Sequence, residues 1–301
     1  MVDIGGLIPP VISPLTPTLD VDRAGIRAVV ERMIDAGVNG MFVLGSCGEG
    51  PVLTDRQRRS IVDGYAEEIA GRVPLFVGLP DPSGGRANDS RELLARAADV
   101  VVVGAPFYYV GASPEHVRNH VERALGDHDG QAVLYNIPQA TGNAFTSEIF
   151  TDLVTSDSRI VGMKDSCAIP DASRDLQRTA DRLGVAFLQG AEALMLGSLL
   201  RGAAGVIPGV ANVFPEDARL LVDAVQAGRP EEGAKLQSRI DAQCESVYRT
   251  GHWLAALHAS VAAYLPTTPA LASGVPLLSA EETLELQRSL VGTFGGSRVS
   301  R

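Results

Sequence analysis

The sequence predicts an α/β fold, a (β/α)8 TIM barrel followed by a small C-terminal helical extension. Short apolar segments alternate eight times with longer segments of helical periodicity, which is typical of βα units around a parallel sheet. The chain has 301 residues, which accommodates a barrel of roughly 250 residues and an appendage. Beyond the eighth unit the sequence has helical patterns without further strands.

The eight predicted strands are short and apolar, as expected for strands that are buried on both faces. They cover residues 7–13, 40–44, 75–78, 100–104, 132–136, 160–164, 186–189 and 205–208. Helices are predicted between them at residues 22–35, 55–70, 114–125 and 172–183, several of them beginning at an Asp, Ser or Thr that can cap the first turn. An open doubly wound sheet has the same alternation and is the alternative fold.

The eighth unit ends near residue 227, so we expect a barrel domain over residues 1–227 and a helical extension over 228–301. Helices are predicted in the extension at residues 231–248, 252–264 and 280–290. Residues 292–301 are expected to fray. The third βα unit, with two glycines in residues 81–88 after its strand, is the one that the sequence predicts least firmly.

Net charge and cysteine content indicate which kinds of ligand and which compartment to expect. A formal charge of −10 and a pI near 5.0 disfavour nucleic acid and anionic membranes, and therefore favour a small-molecule ligand. Cys47, Cys167 and Cys244 lack metal-site spacing and fit free thiols in a reducing compartment. The N-terminal segment has no secretory pattern, and no segment is apolar for long enough to span a membrane, so we expect a cytoplasmic protein.

Lys164 is the candidate nucleophile. Active sites of such barrels form at the carboxyl ends of the strands, and Lys164 ends the sixth predicted strand. Its amine would lie inside the barrel mouth, where loss of water favours the neutral form that attacks carbonyl groups. An ion pair with Asp165 or another carboxylate is the alternative explanation for a lysine at this place.

Two neighbouring segments would face the same mouth. Tyr135 ends the fifth strand, where its hydroxyl can relay protons near an amine, although a lone tyrosine there is also a common core residue. Residues 45–48 form a glycine-rich turn after the second strand, whose backbone N–H groups suit a carboxylate. Such turns also occur for steric reasons alone.

Four motifs in this order, GSCGE, PFYY, YNIP and GMKDS, resemble the dihydrodipicolinate synthase / N-acetylneuraminate lyase family of pyruvate-dependent aldolases. The resemblance covers nearly the whole chain. It implies that Lys164 forms a Schiff base with pyruvate or another 2-oxo acid, and that an aldehyde is the second substrate. It also implies that Tyr135, Ser46 and a partner subunit's Tyr108 relay protons, in a homotetramer built as a dimer of dimers. The family needs no metal or organic cofactor.

The resemblance also implies which residues contact the substrate. These are Ser46, Cys47, Gly48, Ser166, Gly190, Glu192, Ile207 and Gly209. Cys47 stands where most relatives have threonine, and a thiol is a weaker hydrogen-bonding group than a hydroxyl.

Departures from the family pattern limit the second substrate. Ala140 stands where dihydrodipicolinate synthases have the arginine that binds the carboxylate of the aldehyde. Sialic acid lyases have an acidic pair where this chain has Glu192 and Ala193, and a serine where it has Gly209. Residues 139–142 instead resemble the 2-keto-3-deoxygluconate aldolases.

We therefore expect a Schiff-base lyase or aldolase that makes or cleaves a carbon–carbon bond between pyruvate and an aldehyde, most like a 2-keto-3-deoxy sugar acid aldolase. The alternatives are a 4-hydroxy-tetrahydrodipicolinate (dihydrodipicolinate) synthase, an N-acetylneuraminate lyase, and a catalytically silent barrel that binds 2-oxo acids.

The histidines have simpler explanations. His116 and His120 are four residues apart on a predicted helix, but no third ligand accompanies them, so a solvated helix face is expected. His252, Trp253 and His258 lie in the extension, where packing or subunit contact explains them. Residues 205–209 are too hydrophobic for the phosphate loop of a barrel isomerase.

Overall fold

The computed structural model describes residues 2–294, and side chains over residues 2–290. Its parallel strands follow the order β1-β8-β7-β6-β5-β4-β3-β2. A bridge between Pro10 and Phe42 then brings the first segment against β2, so the sheet closes. The predicted barrel is confirmed, and an open sheet is excluded. The strands are β1 Gly6–Leu7, β2 Met41–Val43, β3 Leu75–Leu79, β4 Val100–Gly104, β5 Gln131–Asn136, β6 Ile160–Asp165, β7 Ala186–Gln189 and β8 Gly205–Val206.

The first strand is shorter than predicted. Residues 7–13 were expected to form it, but β1 covers only Gly6–Leu7, because Pro9 and Pro10 have no N–H group to donate to a ladder. The segment still contacts β2 through single bonds, with Val11 N donating to Phe42 O at 2.9 Å and Phe42 N donating to Pro9 O at 2.9 Å. Similarly, β8 ends at Val206, two residues before the predicted end at Pro208.

The helices of the barrel follow the predicted spacing. Asp22 caps α1, Thr54 forms a capping box at α2, and Ser113 caps α4. The seventh helix begins two residues before its predicted start, since Pro170 fits the first helical position. The helices are α1 Arg23–Asp35, α2 Asp55–Ile69, α3 Gly84–Leu94, α4 Pro114–Leu125, α5 Pro138–Thr141, α6 Ser147–Ser156, α7 Pro170–Leu183, α8 Met195–Leu200 and α9 Pro215–Gln226.

The C-terminal extension consists of α10 Pro230–Tyr248, α11 Trp253–Tyr264 and α12 Ala280–Phe294. The helix α12 continues past Leu290, so the fraying predicted from residue 292 is wrong for residues 292–294, and residues 295–301 lie outside the described chain. Both α10 and α11 contact the turn Gly209–Asn212 that follows β8. The extension therefore covers the carboxyl end of the barrel, where the predicted site lies.

Within residues 2–294, every helix is too short or too polar to span a membrane.

Candidate active site

Lys164 and Tyr135 lie side by side at the carboxyl ends of neighbouring strands. They are paired residues in the register of β5 and β6. Lys164 is 3 % exposed, and its Nζ lies 3.9 Å from the centroid of the Tyr135 ring and 4.8 Å from that of Phe42. The two rings pack edge to face at 5.9 Å. The amine therefore sits in an aromatic corner of the barrel interior.

Asp165 does not pair with Lys164. Its Oδ1 accepts hydrogen bonds from Asn136 Nδ2 at 2.8 Å and Cys167 N at 3.2 Å, and its Oδ2 accepts one from Cys167 Sγ at 3.3 Å. Successive residues of a strand point to opposite faces, which directs Asp165 away from the interior. Among the described residues no carboxylate forms an ion pair with Lys164, so the ion-pair explanation of this lysine is wrong.

The glycine-rich turn after β2, residues 45–50, is called here the amide loop. Its carbonyl groups are occupied: Gly45 O accepts from Gly50 N at 3.2 Å, Ser46 O from Glu49 N at 3.2 Å, and Cys47 O from His258 Nε2 at 3.0 Å. The N–H groups of residues 46, 47 and 48 donate to no other residue of the described chain. Three free consecutive N–H groups are suited to bind an anion such as a carboxylate.

Ser166 and Gly190 adjoin the lysine. A side-chain carbon added to Gly190 would lie 3.1 Å from Lys164 Cε and 2.1 Å from Ser166 Oγ. A side chain at position 190 would therefore press on both the lysine and Ser166. Gly190 N also donates to Asp165 O at 2.7 Å, which fixes the end of β7 against β6.

Glu192 is engaged by the loop after β8. Its Oε1 accepts from Gly209 N at 2.9 Å, Val210 N at 3.3 Å and the Tyr248 hydroxyl at 3.4 Å. Burial, aided by the charge of Glu192, raises the pKa of Tyr248 well above its usual range, so Tyr248 stays a donor. The predicted contact of Glu192 with a substrate hydroxyl stays a prediction, and Tyr248 is a neighbour that the sequence pattern did not indicate.

The Cys47 thiol lies near Gly209 and Tyr248, beside the contacts of Glu192. A carbon added to Gly209 would lie 3.3 Å from Cys47 Sγ and 2.9 Å from the Tyr248 hydroxyl. Burial raises the pKa of the Cys47 thiol to about 12, although the charge of Lys164 opposes this. The thiol is therefore protonated at neutral pH and does not compete with the lysine as a nucleophile. Ile207 is buried, 2 % exposed, in the interior cluster that also contains Tyr135.

A cavity of about 140 Å³ lies beside Tyr135 and Ser46. Apolar side chains such as Val102, Ile137 and Ala140 form much of its wall, and no lysine or arginine of the described chain lines it. The space at Ala140 therefore has no cation that would bind a second substrate carboxylate.

Tyr108 lies outside this cavity in its own chain. It is 80 % exposed, and its φ of 77° is in the left-handed region that non-glycine residues rarely adopt. Tyr109 and Val110 are also exposed, at 72 % and 73 %. The predicted role of Tyr108 across a subunit contact stays a prediction that this exposure favours.

One histidine departs from expectation. His116 is exposed as predicted, but His120 is buried, so the predicted solvated face is wrong for that residue. His258 is 1 % exposed and bonds to the amide loop. Across residues 2–294, no cluster of three or more His, Cys, Asp or Glu side chains could hold a metal. All three cysteines are free thiols.

The sequence profile of the Dihydrodipicolinate synthetase family matches residues 3–287. The 4-hydroxy-tetrahydrodipicolinate synthase of Methanopyrus kandleri is 30 % identical, over 77 % of this chain and 78 % of its own. YjhH of Escherichia coli K12, described as a probable 2-dehydro-3-deoxy-D-pentonate aldolase, is 30 % identical over 72 % of each chain.

Solved structures agree on the fold. The crystal structure of YagE from E. coli K12, a prophage protein of the dihydrodipicolinic acid synthase family in complex with pyruvate, superposes with a TM-score of 0.91. The superposition covers 96 % of this chain and 98 % of YagE, at 24 % identity.

Proposed function

This chain belongs to the dihydrodipicolinate synthetase family, and on that premise we propose that it joins pyruvate to an aldehyde, or cleaves the joined product, through a Schiff base on Lys164. The observation that carries the proposal is the buried Lys164 amine, which lies against Tyr135 and has no ion pair among the described residues. A protein that only binds a 2-oxo acid does not require an amine nucleophile beside a phenol.

The first step is imine formation. The three free N–H groups of the amide loop bind the carboxylate of pyruvate, and Lys164 Nζ attacks its C2 carbonyl. The carbinolamine that results loses water, and Tyr135 supplies and removes the protons that this loss requires.

The second step forms the carbon–carbon bond. Loss of a C3 proton converts the protonated imine to an enamine, whose C3 attacks the aldehyde carbon while the aldehyde oxygen takes up a proton. Hydrolysis then releases the product and the free amine. Cleavage runs through the same steps in reverse, and Ser46 and the partner subunit's Tyr108 complete the proton relay in this proposal.

The second substrate is proposed to be an aldehyde that gives a 2-keto-3-deoxy sugar acid when it is joined to pyruvate. Among the described residues, no lysine or arginine lines the cavity beside Ala140 to bind a carboxylate-bearing aldehyde. Residues 139–142 have the pattern of the 2-keto-3-deoxygluconate aldolases, and the 30 % identical relative YjhH is described as a probable pentonate aldolase.

A substrate panel tests this proposal. The protein is given 2-keto-3-deoxygluconate, 2-keto-3-deoxypentonate or N-acetylneuraminate, and pyruvate release is followed with lactate dehydrogenase and NADH. Condensation of pyruvate with aspartate semialdehyde is measured in parallel, and Lys164→Ala serves as the blank. We expect kcat/KM to be at least about tenfold higher for a deoxy sugar acid than for the other substrates, a difference of roughly 1.4 kcal/mol. A preference for aspartate semialdehyde would overturn the substrate assignment.

A further inference from the structure

We propose that His258, in helix α11 of the C-terminal extension, is a positioning residue that holds the amide loop in its carboxylate-binding form. The inference rests on the proposed function, because it concerns how pyruvate is bound. His258 lies 211 residues from Cys47 in the chain, yet its Nε2 is 3.0 Å from the Cys47 carbonyl oxygen.

The hydrogen bond fixes the protonation state of the imidazole. A carbonyl oxygen only accepts, so Nε2 must carry the hydrogen. Nδ1 is buried and has no hydrogen-bond partner within the described residues, so a second hydrogen there would be unpaired. Burial accordingly lowers the pKa of His258, although the Cys47 carbonyl and the charge of Glu49 oppose this. His258 acts as a neutral donor.

Holding this carbonyl also orients an N–H group. The carbonyl of Cys47 and the N–H of Gly48 belong to one planar trans peptide, in which they point in opposite directions. When His258 holds the carbonyl toward α11, the Gly48 N–H points away from α11 and is free to donate. A peptide rotated by half a turn would instead present a carbonyl oxygen to the anion.

The next peptide of the loop is held as well. Ser13 Oγ donates to Gly48 O at 2.6 Å. A side-chain carbon on Gly48 would lie 2.9 Å from Val11 O, so the loop packs closely on the segment after β1. Of these two successive carbonyls, that of Cys47 is held by His258 and that of Gly48 by Ser13. Among the described residues, only His258 donates to the carbonyl of Cys47.

The C-terminal extension contacts the amide loop at a second residue, Glu49. The Glu49 carboxylate accepts hydrogen bonds from Ala272 N at 3.1 Å and Ser273 N at 2.8 Å. Glu49 is 2 % exposed and adopts a φ of 55°, a left-handed conformation that these bonds help to maintain. Helix α11 and the segment after it therefore form a support for the anion-binding turn.

The test compares His258→Phe, which keeps a flat ring without a donor, with His258→Gln, which keeps a donor near the Nε2 position. The pyruvate KM is measured from the steady-state rate at which pyruvate condenses with an aldehyde. The pyruvate concentration that gives half-maximal borohydride trapping on Lys164 is measured by intact mass. We expect His258→Phe to raise both values about tenfold, with kcat at saturating pyruvate within about twofold of the parent, and His258→Gln to restore both to within about threefold.

His258→Asn is a second variant in case His258→Phe fails to fold, since its shorter amide falls short of the carbonyl and should behave like Phe. Ser260→Ala is the matched control. It removes a buried hydroxyl from the same helix, and in the described chain that hydroxyl donates within α11, to Ala256 O. Its pyruvate KM should be unchanged even if its melting temperature falls.

An unchanged pyruvate KM in His258→Phe or His258→Asn would overturn the positioning role. The role would also be overturned if, across all four variants, the pyruvate KM rises in proportion to the loss of melting temperature, because the effect would then reflect stability alone. If the parent protein shows no trapped adduct at any pyruvate concentration, the proposed function fails together with this inference. If the parent protein does trap pyruvate, the proposed function stands, and a negative result for the variants counts only against the role of His258.

Discussion

Tyr135 is the residue whose hydroxyl most directly tests the proposed proton relay. Tyr135→Phe keeps the ring that packs against Phe42 and Lys164 and removes only the acid–base group. We expect kcat to fall about 100-fold or more, because general acid–base groups typically contribute 10²–10⁴ in rate. Steady-state kinetics check this.

Tyr65→Phe is the matched control for that substitution. The Tyr65 hydroxyl is buried, donates to Ile12 O at 2.7 Å, and is not part of the proposed proton relay. Its loss should lower stability but leave kcat within about twofold. A Tyr135→Phe variant that keeps more than half of the parent kcat would contradict the assigned role.

Ala140 tests the assignment of the second substrate. Ala140→Arg places a guanidinium beside a cavity of about 140 Å³ that has room for it. We expect condensation of pyruvate with aspartate semialdehyde to rise about tenfold or more relative to the parent, because an arginine binds a carboxylate through two hydrogen bonds. Ala140→Gln, which adds a shorter, uncharged polar side chain, should give no such gain. Equal gains from both variants would show that charge is not the missing element.

His120 predicts a pH-dependent stability. Burial, with a smaller effect of His116, lowers the pKa of His120 from its usual 6.5 to about 4. Between these values the unfolded chain binds a proton that the folded chain does not, so stability is lost as pH falls from about 6.5 toward 4. The loss is about 3 kcal/mol for a shift of this size. Urea unfolding of His120→Leu should show a flatter pH dependence, whereas the exposed His116→Leu should keep most of the parent's slope.

Some site residues could be predicted from sequence because they end apolar strands. Lys164 and Tyr135 belong to this class. His258 and Tyr248 could not be predicted, because each reaches the site from the extension and contacts a residue far away in the chain. A buried polar side chain on the mainly apolar helix α11 was the available signal, and it did not specify a partner.

At the scale of elements, a buried ion pair joins α2 to the segment after β3. Arg58 Nη1 lies 2.9 Å from Asp81 Oδ1, and both side chains are almost fully buried. Arg58 Nε also donates to Gly50 O in the amide loop, at 2.8 Å. Removal of one partner leaves the other charge buried, so we expect Asp81→Leu to lower the free energy of unfolding by about 3–5 kcal/mol.

The double variant Arg58→Met with Asp81→Leu is the control for that prediction. It leaves no unpaired charge, so chemical denaturation should give a smaller loss than the single variant. If the single variant loses less than about 1 kcal/mol, the pair is not a structural link between these elements.

The central elements could be predicted because apolar periodicity and capping residues agreed. Strands β4 to β7 are continuous in the structure, whereas the prolines of the first and eighth units shorten β1 and β8. Helix α3 begins with two glycines in a segment whose pattern was weak, and the structure shows that Ser83 caps it.

For the whole molecule, the proposed dimer predicts complementation between two inactive variants. Lys164→Ala retains Tyr108, and Tyr108→Ala retains Lys164. If Tyr108 acts in the partner subunit's site, each mixed dimer regains one complete site. Random reassociation makes half of the dimers mixed, so about a quarter of the parent activity should return.

The control is mixing without prior dissociation, which should restore nothing until subunits exchange. No recovery after full reassociation, with each variant folded and oligomeric, would contradict a shared site. The subunit arrangement itself could not be predicted from the residues alone, because the exposed Tyr108, Tyr109 and Val110 indicate a contact surface but not its partner.

The most direct test of the account is borohydride reduction in the presence of pyruvate, followed by intact-mass analysis of the parent chain and of Lys164→Ala. The parent chain should gain a reduced pyruvyl adduct, located at Lys164 by peptide mapping, and the variant should gain none. A folded parent chain that gains no adduct, or an adduct that persists in Lys164→Ala, would contradict it.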